Sequence, residues 1–249
     1  MSGGFKTGIS EMRKFIMENE SRVIKWGAIC GIMGLVIFLG VGVLLEQFYW
    51  QKLPVKTIGD YLALLGNSPN YQINVAGHLL LGLVFLLFII AFLGLQHLLV
   101  GETSRTSVTV GTLFGIIACP IMVVQMWVQG TVMAKMGKMF VAASDEAQRQ
   151  SIAVLYKGLR NFDMGIDLAF DTFFFTAWIL LALAMLKSKH FSKIFGTIGI
   201  VLFSLTALIN IWTAPNPPSF DPAPIVTLWV LAVYIQMLRA VKSIKIKEK

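Results

Sequence analysis

The sequence is short of charged residues, cysteine and histidine, and each shortage excludes a class of protein. Only 14% of its 249 residues are charged, whereas a soluble domain carries about 25%. Cys30 and Cys119 both lie inside apolar blocks, which excludes a disulfide framework and a cysteine metal site. A zinc hydrolase needs about three nitrogen or sulfur ligands. His97 and His190 would lie at the opposite side of the membrane from His78, so they cannot complete such a set.

Motifs that usually mark an enzyme are also missing. The sequence contains no phosphate-binding loop, no Rossmann glycine pattern and no Gly-x-Ser-x-Gly motif. No lysine lies inside an apolar block, which excludes a retinal Schiff base. We therefore identify no catalytic residue, leave any cofactor or metal open, and favour a protein that is not an enzyme.

Long hydrophobic runs are abundant. Hydrophobic residues make up 56% of the chain, and they come in blocks long enough to cross a hydrocarbon core of about 30 Å as helices. The pattern predicts an all-α, polytopic membrane protein in which one bundle spans residues 26–241, between an N-terminal segment, 1–25, and a basic tail, 242–249. The six predicted transmembrane helices cover residues 26–45, 75–100, 107–129, 160–186, 194–212 and 225–241.

The net charge of +8 does not indicate nucleic acid, because the basic residues cluster at the ends of the apolar blocks. There they meet lipid headgroups and set the orientation of the helices. With the N-terminus inside, the inner segments hold 14 Lys and Arg residues and the outer segments hold 7. This bias predicts a cell (inner) membrane protein with both termini in the cytoplasm. Membrane lipids are the expected partners, and a homo-oligomer or a membrane complex stays open.

Two outer segments carry local helix signals. Thr57 is a candidate N-cap of a short helix. Ser144 is a candidate N-cap before Asp145 and Glu146, two acids in a favourable first turn. Ser144, Asp145 and Glu146 together predict an outer interfacial helix that begins near Asp145 and leads into helix four.

An apolar stripe, formed by Ile152, Leu155, Leu159 and Phe162, continues from this interfacial helix into the membrane. We expect the helix to bend near residue 158 or 165, where glycines occur. In helix three, Pro120 predicts a kink, because its ring removes a backbone donor.

Three aspartates dominate helix four. Asp163, Asp167 and Asp171 recur every fourth residue, so they fall within an arc of about 80° at ~100° per residue, and Arg160 falls in the same arc. Acidic residues in a spanning helix are costly and usually face the bundle interior or a wet cavity. The pattern therefore indicates the position of a site.

Other polar side chains gather at the same, outer end of the predicted bundle. An outward-opening polar pocket explains this distribution, and carboxylates within it would suit a small ligand, a lipid headgroup or a cation. The residues that accompany the three aspartates there are Glu46 on helix one, Asn74 and His78 on helix two, Gln125 and Gln129 on helix three, and Asn210 on helix five.

The aspartate row fits four roles: a structural polar network with Arg160, His78 and the glutamines, a cation or proton site, a ligand pocket, or a catalytic site. Asp171 lies about 12 Å deeper than Asp163. Leaving it charged and unpaired costs roughly 2.5–3.5 kcal/mol. We therefore expect His78 and Asp171 to share one inner wall, within direct or water-bridged reach of each other.

The chain resembles a family of six-helix bacterial membrane proteins catalogued as a domain of unknown function. The resemblance covers most of the chain from about residue 25. It implies the six-helix architecture and no particular activity. It rests on Asp60-Tyr-Leu-Ala-Leu-Leu with Asn74-Val-Ala-Gly-His78, on Ser144-Asp-Glu-Ala-Gln with Asn161-Phe-Asp-Met-Gly165, and on Leu186-Lys-Ser-Lys-His-Phe-Ser-Lys-Ile-Phe-Gly196.

Three classes of function follow from these features. The first is a non-enzymatic membrane protein whose outward polar pocket binds a small ligand, a lipid headgroup or a cation. The second is a structural or accessory subunit of a membrane complex, in which the polar residues only join the helices. The third is a membrane-embedded enzyme, which would need a nucleophile or a metal near Asp167 or Asp171.

Overall fold

The computed structural model describes the backbone of residues 3–45, 57–100, 105–213 and 223–246, and every regular element in these ranges is helical. Six stretches are long and apolar enough to cross a membrane, which confirms the predicted all-α polytopic class. Glu46 lies outside the described residues. The elements are α1 (Gly3–Leu45), α2 (Ile58–Gly66), α3 (Asn70–Leu99), α4 (Arg105–Val128), a π-helical segment (Gln129–Met133), α5 (Ala134–Ala142), α6 (Glu146–Met185), α7 (Lys193–Thr213) and α8 (Ala223–Ile246).

The membrane helices form a closed ring in the order α1, α3, α4, α6, α7 and α8. Each helix contacts the next, and α8 returns to α1. Because successive membrane helices run in opposite directions, the start of α3, the end of α4, the start of α6 and the end of α7 share one end of the bundle. The ring thus brings together the ends that carry the predicted polar residues.

Small residues set the closest helix contacts. A Cβ atom added to Gly27 would lie 2.6 Å from the Cα atom of Gly94, so α1 and α3 touch through their backbones. Only small residues permit such an approach between membrane helices. Away from the polar end, an aromatic cluster fills the bundle centre. Trp178 is fully buried there, with ring centroids 5.6 Å from Phe203, 5.3 Å from Phe92 and 5.7 Å from Trp229.

Beyond the ring, the chain builds a cap, defined as α2, α5 and residues 146–160 of α6. The α6 helix has 40 residues, so it measures about 60 Å and exceeds the roughly 30 Å hydrocarbon core. Its N-terminal part packs with α2 and the π-helical segment through Leu62, Met133, Ile152 and Tyr156. A Cβ atom on Gly137 of α5 would lie 2.7 Å from the backbone nitrogen of Gly66 in α2, so these helices also touch through their backbones.

The predicted N-cap at Thr57 is confirmed, whereas the one at Ser144 is wrong by one residue. Thr57 Oγ1 accepts from the Asp60 backbone N–H at 3.1 Å, and an Asp60 carboxylate oxygen accepts from the Thr57 N–H at 2.9 Å. The N-cap of α6 is Asp145, whose carboxylate accepts from the Gln148 N–H at 2.8 Å. Both residue types cap helices, but the charged carboxylate of Asp145 is the stronger acceptor near the positive helix end.

The interfacial segment predicted before helix four is the first part of α6 itself. The helix continues through residues 158 and 165, and a bend there, like a kink at Pro120 within α4, stays a prediction. The apolar stripe is only partly covered. Ile152 is buried, but Leu155 is 67% and Phe162 is 65% exposed. At ~100° per residue these two lie at one edge of the stripe, which α2 and α5 do not reach.

The π-helical segment follows α4 without a break. The Ala134 N–H donates to the Gln129 carbonyl oxygen, which is the five-residue step of a π-helix. The predicted end of helix three near Gln129 is therefore a change of hydrogen-bond pattern, and the chain stays helical as far as Ala142.

Candidate functional site

The predicted polar residues lie in two groups at different depths in the ring. The first group, called the junction, consists of Gln125, Gln129, Arg160 and Asp163 and lies where the cap meets the bundle. The second group lines a cavity at the centre of the ring, about two turns further along α6, and contains Asp171.

The junction is organised around Asp163, which is only 2% exposed. Gln129 Nε2 donates to Asp163 Oδ2 at 2.8 Å, and Arg160 Nη1 lies 3.7 Å from the same oxygen. Gln125 Nε2 donates to the Asp163 backbone carbonyl at 3.4 Å. Asp163 Oδ1 and Gln125 Oε1 accept from no donor among the described residues. The two glutamine hydrogen bonds therefore join α4 and the π-helical segment to α6.

A close helix contact places His78 beside the junction. A Cβ atom added to Gly130, next to Gln129 in the π-helical segment, would lie 2.9 Å from His78 Cβ, so α3 approaches this segment closely. His78 Nδ1 donates to the Asn74 carbonyl oxygen one turn earlier in α3, at 2.8 Å. This bond fixes the ring, and His78 and Gln129 both reach the central cavity.

The central cavity has a volume of about 380 Å³ and is bounded by all six membrane helices. Its walls are mainly apolar and aromatic, in contrast to the polar pocket that the sequence predicts. Its lining residues are Leu35, Phe38, His78, Leu81, Phe85, Phe88, Met122, Met126, Gln129, Phe170, Asp171, Phe174, Phe175, Thr206, Asn210, Val226, Thr227, Val230 and Tyr234.

Asp171 is the one carboxylate among these lining residues. It is half-buried, and its Oδ2 atom accepts from Asn210 Nδ2 of α7 at 2.6 Å. No hydrogen bond joins it to His78, whose Nδ1 atom donates to the Asn74 carbonyl oxygen. Both residues line the cavity without a hydrogen bond between them. That they share one wall within reach of a bridging water stays a prediction.

The structure places six of the seven predicted site residues in these two groups and leaves Asp167 outside both. His78, Gln129, Asp171 and Asn210 line the cavity, and Gln129 also belongs to the junction. Gln125 and Asp163 lie in the junction only. Asp167 is exposed on the surface of α6, although it falls on the same helical arc as the other two aspartates.

Sequence reasoning missed the aromatic lining of the cavity. Phe170 and Phe174 stack with ring centroids 5.0 Å apart, and Phe85 meets Phe170 edge-on at 5.6 Å. The sequence did indicate the aromatic lining from α6, because Phe170 and Phe174 lie one turn apart on this helix and flank Asp171. No comparable sequence pattern indicated that aromatic residues of α3 and α8 line the same cavity.

The site offers recognition chemistry rather than a set of metal ligands. Within the residues that the structure describes, no group of three or more His, Cys, Asp or Glu side chains is placed to hold a metal ion. The cavity instead combines one carboxylate, two amides, an imidazole and the hydroxyl-bearing residues Thr206, Thr227 and Tyr234 with a large apolar surface. Such groups can orient a bound molecule by hydrogen bonds and charge while its apolar part contacts the walls.

The fold and the cavity define an all-helical, multi-pass membrane protein with an internal cavity in its bundle. Comparison with known proteins adds no relative, because no protein-family model, no curated protein and no solved structure matches the chain. The resemblance to the six-helix family of unknown function therefore stays a prediction.

Proposed function

We propose that this integral membrane protein binds a small, largely apolar molecule in the central cavity and holds one polar group of that molecule at Asp171 and Asn210. The observation that supports this proposal is the cavity of about 380 Å³ with few polar groups in an apolar lining. Cavities of roughly 300–1,000 Å³ with that composition are typical of small-molecule sites.

The cavity supports binding better than the junction does. In the junction, Gln129 donates a hydrogen bond to Asp163 Oδ2, and Arg160 forms an ion pair with the same oxygen. Gln125 donates to the Asp163 backbone carbonyl. Those contacts favour a structural role for the junction, joining α4 to α6. In the cavity, Asp171 is half-buried and its partner is a single amide, so the carboxylate still faces open space.

We also propose that both termini lie in the cytoplasm, which makes the polar end of the bundle face outward. The bias in Lys and Arg residues supports this orientation. In a background lacking Cys30 and Cys119, single cysteines replacing Ser2 and Ser243 should be shielded from an impermeant thiol reagent in intact cells. One replacing Ser219 should react. Labelling at the first two positions would reverse the orientation.

Ligand binding can be tested with a probe that carries no charge. The protein is reconstituted in nanodiscs of zwitterionic lipid and photolabelled with an uncharged, diazirine-bearing alkanol, and the adducts are mapped by mass spectrometry. Peptides carrying Phe85 and Phe174 should label to saturation, because a cavity holds a limited number of molecules. Peptides carrying Leu208, which is exposed on α7, should label in proportion to the probe concentration.

Filling the cavity provides the matched control. Val230 lines the cavity from α8, so Val230→Phe should reduce the saturable labelling. Val201 is exposed on α7 and does not line the cavity, so Val201→Phe should leave that labelling unchanged. Labelling of the cavity peptides that never saturates would refute the proposed function.

A further inference from the structure

We infer that the molecule bound in the cavity is a lipophilic organic cation, with Asp171 as its counter-ion and the surrounding aromatic rings as the cage for its charged end. This inference rests on the proposed function and specifies the chemical class of the ligand. Three features of the cavity support it: the partner of the Asp171 carboxylate, the aromatic side chains in the lining, and the apolar volume.

The first feature is a carboxylate without a cationic partner. Asp171 accepts from the neutral amide of Asn210, and no Lys or Arg among the described residues forms an ion pair with it or lines the cavity. Asp163, two turns earlier, does have a cation, because Arg160 lies 3.7 Å away. A carboxylate in apolar surroundings is unfavourable without a compensating charge. A bound cation would supply that charge at Asp171.

The second feature is the set of aromatic side chains that line the same cavity as this carboxylate. Phe85, Phe170, Phe174 and Tyr234 line the cavity together with Asp171. Phe85, Phe170 and Phe174 form a continuous wall, with neighbouring centroids 5.6 and 5.0 Å apart. Aromatic faces attract cations, and the attraction is strongest where water is excluded, as in cages for quaternary ammonium groups.

The third feature is the apolar volume, which separates an organic cation from other charged ligands. Leu81, Met122 and Val226 line the walls, and thioether side chains such as Met122 adapt to irregular apolar shapes. A hydrated metal ion would instead need about six oxygen ligands, which this lining does not provide. A phosphate headgroup would need a Lys or Arg in the lining, and the described lining contains neither.

The test compares two molecules that differ only in charge. Decyltrimethylammonium and its uncharged isostere, in which a quaternary carbon replaces the nitrogen, compete against the photolabel in the zwitterionic nanodiscs. In the wild-type protein the cation should compete at a concentration about tenfold lower than the isostere. In Asp171→Asn this ratio should fall several-fold, to the preference that the aromatic rings alone provide, while competition by the isostere stays unchanged.

Asp167→Asn is the matched control, because Asp167 lies one turn before Asp171 on α6 but is exposed and outside the cavity lining. It should keep the wild-type ratio, which excludes a general effect of removing negative charge from the helix. Phe174→Leu should weaken competition by the cation a few-fold and change competition by the isostere less, because it removes a ring but keeps an apolar wall.

The outcomes separate this inference from the proposed function. If photolabelling of the cavity never saturates, the proposed function fails. If labelling saturates but the two compounds compete equally in the wild-type protein, binding stands and the cationic class is refuted. A wild-type ratio retained in Asp171→Asn would also refute it. If that variant does not insert, the wild-type ratio and the effect of Phe174→Leu still decide.

Discussion

Asp163 and Asp171 share one helix and one helical face, yet they occupy opposite environments. Asp163 is buried beneath the cap, where the amides of Gln125 and Gln129 donate hydrogen bonds to it and the Arg160 guanidinium forms an ion pair with it. Asp171 lies about 12 Å deeper in the bundle, half-buried among aromatic rings and bonded to one amide. The carboxylate nearer the cap is thus the better satisfied by protein groups, and the deeper one is the better placed for a ligand.

The contrast shows that neighbouring helices, rather than position on α6, decide the role of each carboxylate. Gln125 and Gln129 reach Asp163 because they lie one turn apart, at the end of α4 and the start of the π-helical segment. In the cavity that Asp171 lines, α3 and α8 contribute Phe85, Phe88 and Tyr234 instead. The following predictions test this difference.

Removing the amide partner of each carboxylate should have the largest effect, and an unequal one. Gln129→Met leaves a buried Asp163 oxygen without its donor, so we expect the free energy of unfolding to fall by about 3 kcal/mol. Asn210→Leu should cost about 1 kcal/mol, because Asp171 faces a cavity in which water can replace the lost donor. Both values can be measured by unfolding in mixed detergent micelles. Equal losses of unfolding free energy in the two variants would contradict the difference between the environments of Asp163 and Asp171.

Adding a methyl group should reveal how tightly the junction is packed. Gly130→Ala would place a Cβ atom 2.9 Å from His78 Cβ, so it should destabilise the protein by about 1–3 kcal/mol. Gly165→Ala, between Asp163 and Asp167, meets no atom within 4 Å. It should stabilise α6 by up to about 1 kcal/mol, because alanine is the better helix former. Thermal unfolding of the two variants provides the measurement, and destabilisation by Gly165→Ala would be evidence against this packing.

Removing the cation from the junction should matter less than removing the amide. The Arg160 side chain is 52% exposed and lies 3.7 Å from Asp163 Oδ2, so Arg160→Met should cost about 1 kcal/mol. Its cost should shrink as salt concentration rises, because exposed charges are screened. A cost as large as that of Gln129→Met would mean that the ion pair, and not the amide, holds the junction together.

Neutralising Asp171 should have the smallest effect on the ligand-free protein. Asp171→Asn keeps an acceptor for Asn210, and the carboxylate that it replaces is half-buried at a cavity in which water can solvate it, so we expect a change below about 1 kcal/mol. The exposed Asp167→Asn is the matched control and should behave similarly. A large loss of stability in Asp171→Asn alone would show that the charge serves the fold, and it would favour a structural role for the cavity wall.

Helix boundaries are predictable from this sequence because they depend on local chemistry. Thr57 and Asp60 form a capping box within four residues of each other. The predicted end of helix four at Leu186 matches the C-cap of α6. The N-cap of α6 is predicted less well, because Ser144 and Asp145 are adjacent and both can cap a helix. The extension of α6 beyond the membrane also follows from its local apolar periodicity.

The division of the site is not predictable from a single helix. Periodicity places the three aspartates on one arc, but it does not say which helix faces each turn. The partners of Asp163 come from residues 34 and 38 positions earlier in the chain, and that of Asp171 from a residue 39 positions later. The aromatic cavity depends on all six helices at once. The shared polar end is predictable, because antiparallel helices bring alternate ends together.

The π-helical turn at Gln129 is the position at which the long helix from Arg105 to Ala142 can lose one residue without losing its register. A turn closed by a five-residue step holds one residue more than an α-helical turn. Deleting one residue from 130–132 can convert the turn to α-helix and leave the faces on both sides in phase. The same deletion near Thr112 would rotate everything that follows by about 100° and swing Gln125 and Gln129 away from α6. Related chains could therefore lose one residue at this turn and keep the cap, the amides and the cavity in register.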